Sequence, residues 1–210
     1  MLISMPRLHT YVMAYDSGFA PNPFYGFCTL ATCKPKIRRS AVEGDWIVGT
    51  ASAARATRRG GFLVYAMKVT GALDFDQYWA DTRFQHKKPI RNGSKKQSCG
   101  DNIYWREAKT SPWRQLDSFH SKNDGSQRTD HTAKDTGVNR VLFSDDFVYF
   151  GGEGPALPIE HGIRAAILHK AIGEHRVDDQ RVIGAFVDWL RSLEVNGYVG
   201  RPHDWLKGYG

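Results

Sequence analysis

Residues 85–140 form a long stretch that is polar and rich in Gly, Ser, Asn, Asp and Lys, set between two strand-forming blocks. A structureless connection of that length is uncommon inside a compact domain. Its short apolar pieces, NIYW and SPWRQL, are therefore expected to form short strands with excursions between them, 120–137 being the most mobile part. Any fold proposed for this chain has to accommodate that segment.

The blocks on either side are easier to assign. LHTYVMAYD supplies β-favouring bulk and breaks at Asp16-Ser17-Gly18 into FAPNPFYGF, where Pro21 and Pro23 forbid a helix. CTLATC reads as a short strand running into a basic turn, KPKIRR. After the Glu43-Gly44-Asp45 turn, Trp46-Ile47-Val48 is an apolar strand, and FLVYAMKV is the strongest strand in the chain. DFDQYWADTRF has helical spacing behind an Asp74 cap. RVLFSDDFVYFGG reads as strand, two-Asp turn and strand. The remainder is helical: IRAAILHKAIG, then DDQRVIGAFVDWLRSL with Val182, Phe186, Trp189, Leu190 and Leu193 on one core-facing stripe. Strands followed by helices, without β-α alternation, predict an α+β chain. The expected form is a small, mainly antiparallel β-barrel over residues 1–155 with the 85–140 insertion, and two C-terminal helices in 156–210 packed on it.

Charge bears on partners. The formal net charge is +7, and it is uneven: nine Lys/Arg against three acids in 1–72, thirteen against nine in 73–140, and seven against ten in 141–210. A basic front portion suits a polyanion, while the acidic C-terminal helices suit a protein partner. No apolar run approaches the about 20 residues that span a bilayer. The N-terminal MLISMPRLHTYVMAY lacks a secretion-signal pattern, so no membrane association and a cytoplasmic location are expected. Cys28, Cys33 and Cys99 are too few and too irregularly spaced for a disulfide or zinc framework, so Cys28 and Cys33 read as half-buried strand residues and neither metal nor cofactor is expected.

Nucleotide-loop, serine-hydrolase and zinc-hydrolase signatures are absent. Four other constellations could carry chemistry. Tyr15, Asp16, Asn22 and Phe24, in or beside a proline-braced loop, offer stacking faces and base-edge partners. Lys34, Lys36, Arg38 and Arg39, with Arg55, Arg58 and Arg59 in the next loop, could neutralise phosphates. Trp79 with Arg83, His86, Lys87 and Lys88 interleaves a stacking ring with cations. His120, Asp130, His131 and Asp135 could act as acid/base groups, although a solvated loop accounts for them as well, and His169 and His175 read as structural.

The segments YDSGFAPNPFYGFCTLATCKPKIRRSAVEGDWIVGTAS, LVYAMKVTGALDFDQYWADTRFQHKKP and RVLFSDDFVYFGG resemble the nucleotide modification associated domain 2 family. The resemblance implies a role beside nucleic-acid modification in bacterial and phage systems, without an assigned reaction or catalytic residues. A looser similarity, to PUA, ASCH and EVE-type barrels, rests on Gly44-Asp45, Trp46 to Ser52 and Phe62 to Val69, and the long excursion and the C-terminal helices depart from it. Together these readings predict a module that recognises a modified base or nucleotide in DNA or free. Tyr15, Asp16, Asn22, Phe24, Thr50, Ser52 and Trp79 would form its pocket, and Lys34, Arg38, Arg39, Arg83, Lys87 and Lys88 would hold phosphates. The alternative is an enzyme that installs, removes or processes the modification, with Asp16, His120, Asp130 or His131 as its acid/base groups.

Overall fold

A computed structural model describes residues 5–53, 59–168 and 173–206. In chain order its strands are β1 (Leu8–Met13), β2 (Cys28–Leu30), β3 (Trp46–Ala51), β4 (Leu63–Lys68), β5 (Gly71–Leu73), β6 (Tyr104–Trp105), β7 (Arg114–Gln115), β8 (Val141–Ser144), β9 (Asp146–Tyr149), β10 (Glu174–Val177) and β11 (Gly197–Tyr198). Its α-helices are α1 (Pro35–Ser40), α2 (Phe75–Ala80), α3 (Lys95–Ser98), α4 (Thr129–Thr136), α5 (Ile163–Ile167), α6 (Gln180–Ser192) and α7 (His203–Leu206). The chain divides into two interleaved units, one of residues 1–17, 41–70 and 144–210, the other of residues 18–40 and 71–143.

The first unit is built on a six-stranded sheet in the order β10-β1-β3-β4-β9-β11. β1 with β3 and β9 with β11 are parallel, and the remaining pairs are antiparallel. The sheet is open, so the expected barrel does not form. Closure would require its edges, β10 and the two-residue β11, to pair, and the parallel β1–β3 pairing replaces a hairpin return with a crossover through residues 14–45. Both edges come from the C-terminal region that was expected to be helical only. Every residue of β3 is buried, which is why WIVGTA shows no alternation of apolar and polar residues. α6 is capped by Asp179, whose side chain accepts from Arg181 N, and it buries Ile183, Phe186 and Leu190 against Leu8, Trp46, Val48 and Val148. Each such side chain contributes about 1.5–3 kcal/mol. Trp189 of the expected stripe stays half-buried at the margin of this cluster.

The second unit has its own core, formed by Phe19, Ala31, Phe75, Tyr78, Phe84, Ile103, Tyr104, Val141 and Phe143. Over it lie a three-stranded sheet, β2-β8-β5, and the short β6–β7 ladder. β8 and β9 are therefore not the two arms of a hairpin, since they lie in different sheets. The 85–140 stretch supplies part of this core instead of decorating a barrel, and its expected short strands at NIYW and SPWRQL are β6 and β7. Within 120–137, α4 buries Thr132 and Asp135. The KPKIRR segment is not a turn: Pro35 opens the helix α1, which buries Ile37 and Arg38. Proline suits a first helical position because its missing N–H has no partner there in any case. Among the described residues no helix is long and apolar enough to cross a membrane.

Candidate functional site

The charge of the chain is concentrated in one unit. Residues 18–40 and 71–143 hold seventeen Lys and Arg against nine Asp and Glu, a balance of +8, and the first unit carries the remaining −1. Within the basic unit, α2 begins with a capping box in which the Asp74 side chain accepts from Gln77 N and the Gln77 side chain accepts from Asp74 N. Phe75 and Tyr78 turn into the core, so Trp79, one residue further round the helix, lies at the surface, half-buried. Alternation along β6 does the same for Trp105: Tyr104 is buried and Trp105 faces out. The two indoles stack, with centroids 5.6 Å apart and planes at 18°. Lys88 Nζ lies 3.7 Å from the Trp79 ring centroid, and the Arg114 guanidinium, opposite Trp105 in the β6–β7 register, lies 5.0 Å from that ring. The outcome is a short column of cation, indole, indole and cation. Trp105 and Arg114 were not among the residues singled out by sequence, and only the position of Trp105 after Tyr104 in NIYW hinted at an outward face.

Two presumed phosphate ligands are internal. Arg38 is fully buried and donates to the carbonyls of Cys33, Val138, Arg140 and Asp135, each at 2.8 Å. Lys87 is also fully buried, and its Nζ donates to Asn22 O, Asn22 Oδ1 and Phe27 O. Burial lowers its pKa to about 8. These cations satisfy backbone carbonyls and are not presented to a phosphate. Arg83 is paired with Asp81 at 2.7 Å and packs over Phe84 and Phe143, whereas Arg39 is exposed and Lys34 is half-buried. Arg55, Arg58 and His169 lie outside the described residues.

The expected base pocket is divided between the two units. Tyr15, Asp16, Thr50 and Ser52 belong to the first, while Asn22, Phe24 and Trp79 belong to the second. Tyr15 is exposed, but Phe24, Asn22, Thr50 and Ser52 are buried. Asn22 is held on both sides of its amide, donating to Cys99 O at 2.7 Å and accepting from Lys87 at 2.6 Å. Asp16 is buried, accepts from the Tyr149 hydroxyl and from His203 N, and receives Asp204 N on its carbonyl; it secures α7. Burial raises its pKa against these hydrogen bonds.

The polar cluster of 120–135 is gathered around a cysteine that read as a plain strand residue. Asp135, on the buried side of α4, accepts from Cys33 N at 2.8 Å on one oxygen, and on the other it meets His120 Nδ1 at 2.9 Å and the Tyr104 hydroxyl at 2.8 Å. The other ring nitrogen, His120 Nε2, is 3.6 Å from Cys33 Sγ. Phe19 packs on the His120 ring, with centroids 4.8 Å apart, and the His131 ring meets it edge-on at 4.6 Å. Burial alone would lower the His120 pKa, but its hydrogen bonds with the Asp135 carboxylate and Cys33 outweigh it and raise the pKa to about 9. Asp130 remains at the surface beside Arg128 and His131. Cys33 lies beyond the end of β2, and its separation of 87 positions from His120 hides the pairing from any local motif. Among the described residues no group of three or more His, Cys, Asp or Glu is arranged to hold a metal ion.

The chain is thus an α+β protein with one strongly basic unit, a surface indole column and a cysteine–histidine–aspartate cluster. The family model for nucleotide modification associated domain 2 matches residues 5–209, and the chain belongs to that family. Comparison with curated proteins and with solved structures gave no match.

Proposed function

We propose that the chain binds nucleic acid or a nucleotide in the service of base modification, through the surface of its basic second unit. The observation that carries this reading is the Trp79–Trp105 stack flanked by Lys88 and Arg114. Unpaired bases stack on aromatic faces at about 1–3 kcal/mol each, and nearby cations neutralise the phosphates between them. A base takes the outer face of Trp79 or Trp105 by displacing the Lys88 or Arg114 side chain, which then meets a phosphate, and the +8 balance of this unit supplies the remaining charge. Membership in a family associated with nucleotide modification is consistent with a base as the ligand. Arg39, Lys34 and Lys88 are the phosphate ligands retained from the sequence reading, with Arg38 and Lys87 set aside because they are fully buried.

The test measures binding of single-stranded and duplex oligonucleotides, plain and bearing a hypermodified base, by fluorescence anisotropy at several salt concentrations. Affinity that falls as salt rises, and that drops about 10-fold or more in Trp79→Ala, supports the reading. Absence of affinity for every oligonucleotide at low salt overturns it, as does a Trp79→Ala variant that binds like the parent.

A further inference from the structure

We propose that Cys33 is a nucleophile, with His120 as its base and Asp135 as the residue that orients the imidazole, and that this cluster transfers acyl groups from esters or amides. The proposal is independent of the nucleic-acid surface.

The arrangement has the three relations that nucleophilic catalysis needs. The sulfur is within reach of Nε2 at 3.6 Å, the opposite ring nitrogen is fixed by a carboxylate at 2.9 Å, and that carboxylate is itself held by Tyr104 and Cys33 N. With Asp135 on Nδ1, the ring in its neutral form, which predominates only above about pH 9, carries its lone pair on Nε2, facing the sulfur. Asp135 retains its charge, because the hydrogen bond from His120 leads those that keep its pKa low despite burial.

Two further observations single out Cys33 among the cysteines. Cys28 and Cys99 are buried at 0% and 1% exposure, and Cys33 is only half-buried. Cys33 and Lys34 also have positive φ values, 59° and 41°, in residues that carry a Cβ. Such a conformation costs on the order of 1–3 kcal/mol per residue and persists only where surrounding bonds enforce it. Here Asp135 holds Cys33 N and Arg38 holds Cys33 O, so the backbone is locked with the sulfur turned toward His120.

The step balances with water as the only co-reactant. The thiol proton passes to His120 Nε2 as a sulfur–carbon bond forms at the substrate carbonyl. His120 returns that proton to the departing alcohol or amine as its bond to the carbonyl carbon breaks, leaving a thioester on Cys33. Water then attacks the thioester with His120 as base, which releases the carboxylic acid and restores the thiol. Because His120 keeps its own proton up to about pH 9, the first half of the step runs through the fraction of chains with a neutral ring, and acylation is expected to rise with pH toward that value.

The full chain is treated with p-nitrophenyl acetate, and nitrophenolate release, intact mass and the labelled peptide are followed. The expected result is a burst of one nitrophenolate per chain, with one acetyl group on Cys33. Cys33→Ala is expected to abolish the burst. His120→Gln, whose side chain sits near the surface of the cluster, is expected to slow it at least about 10-fold with an unchanged circular dichroism spectrum. The pH profile of acetylation is recorded as well, because His131, Asp130, Arg128, Arg38, Tyr104 and Asp135 all surround the pair. It is expected to lose its dependence on the His120 proton in His120→Gln. An acetyl group found elsewhere, equal burst rates in parent and His120→Gln, or a zinc ion that protects Cys33 until a chelator is added would each overturn the proposal.

Discussion

Lys87 places an ammonium among carbonyls where solvent does not reach, with Asn22 O, Asn22 Oδ1 and Phe27 O as its acceptors. Replacing it with Met keeps much of the stem volume and leaves those acceptors, together with the buried Asp101, without their cation. Each buried group left unsatisfied costs about 1–3 kcal/mol. Lys87→Met is therefore expected to lower the urea midpoint markedly, whereas Lys88→Met, on the surface of Trp79, should leave it nearly unchanged. The pair of variants measures whether a lysine in this run is internal or available to a ligand. The His120–Asp135 contact makes a pH prediction at the same scale. The His120 pKa is raised to about 9, so the stability it contributes is fully present below the usual imidazole range and is lost as pH rises through about 9. The Asp135 pKa is lowered, so its contribution is present above the usual carboxylate range and is lost as pH falls below it. Thermal midpoints of the parent should therefore decline on the alkaline side, and His120→Gln should flatten that decline specifically.

At the scale of elements, close backbone approaches decide which glycines can be exchanged. A Cβ at Gly154 would overlap the Leu63 carbonyl, and Leu63 N is bonded to the carbonyl of the neighbouring Pro155, so neither partner can withdraw. Gly154→Ala is expected to cost at least about 1–3 kcal/mol, as overpacking does, while Gly184→Ala, with open space around it on α6, should be neutral or stabilising. Denaturant midpoints of the two variants decide this. The legibility of elements followed the range of the signal that sets them. α2 was readable because its Asp74 cap lies within three residues of its partner, and β3 and β4 were readable from their own apolar runs. KPKIRR reads as a turn in isolation because the burial of Arg38 in α1 depends on the carbonyls of Val138 and Arg140, about a hundred positions away. The open sheet is illegible for the same reason, since nothing local in LHTYVM states that its neighbour in the sheet is the parallel β3. In the site, His120, His131 and Asp135 were legible as polar residues close in sequence, but their meaning depends on Cys33, which the fold delivers from the other side of the unit's sequence.

At the scale of the molecule, the net charge of +7 conceals a division into +8 and −1, and that division makes a prediction that a uniform charge would not. If nucleic acid binds the second unit, the slope of log affinity against log salt counts the phosphates neutralised there, at about 0.7 per phosphate for single strands. Exposed cations and stacked indoles should then separate into two kinds of variant. Arg39→Glu and Arg114→Glu, which alter charge at exposed positions, should reduce the slope by about one phosphate equivalent or more each, and affinity should fall most at low salt. Trp105→Ala, which removes a stacking face beside Trp79 without changing charge, should weaken binding by a similar factor at every salt concentration and leave the slope intact. Charge reversals in the first unit, such as Arg181→Glu on α6, should change neither quantity beyond the weak effect of net charge. Salt titrations of these four variants against one single-stranded oligonucleotide measure both quantities at once. Equal effects of Arg181→Glu and Arg39→Glu would mean that the attraction is a property of the overall charge and that the indole column is only a packed surface.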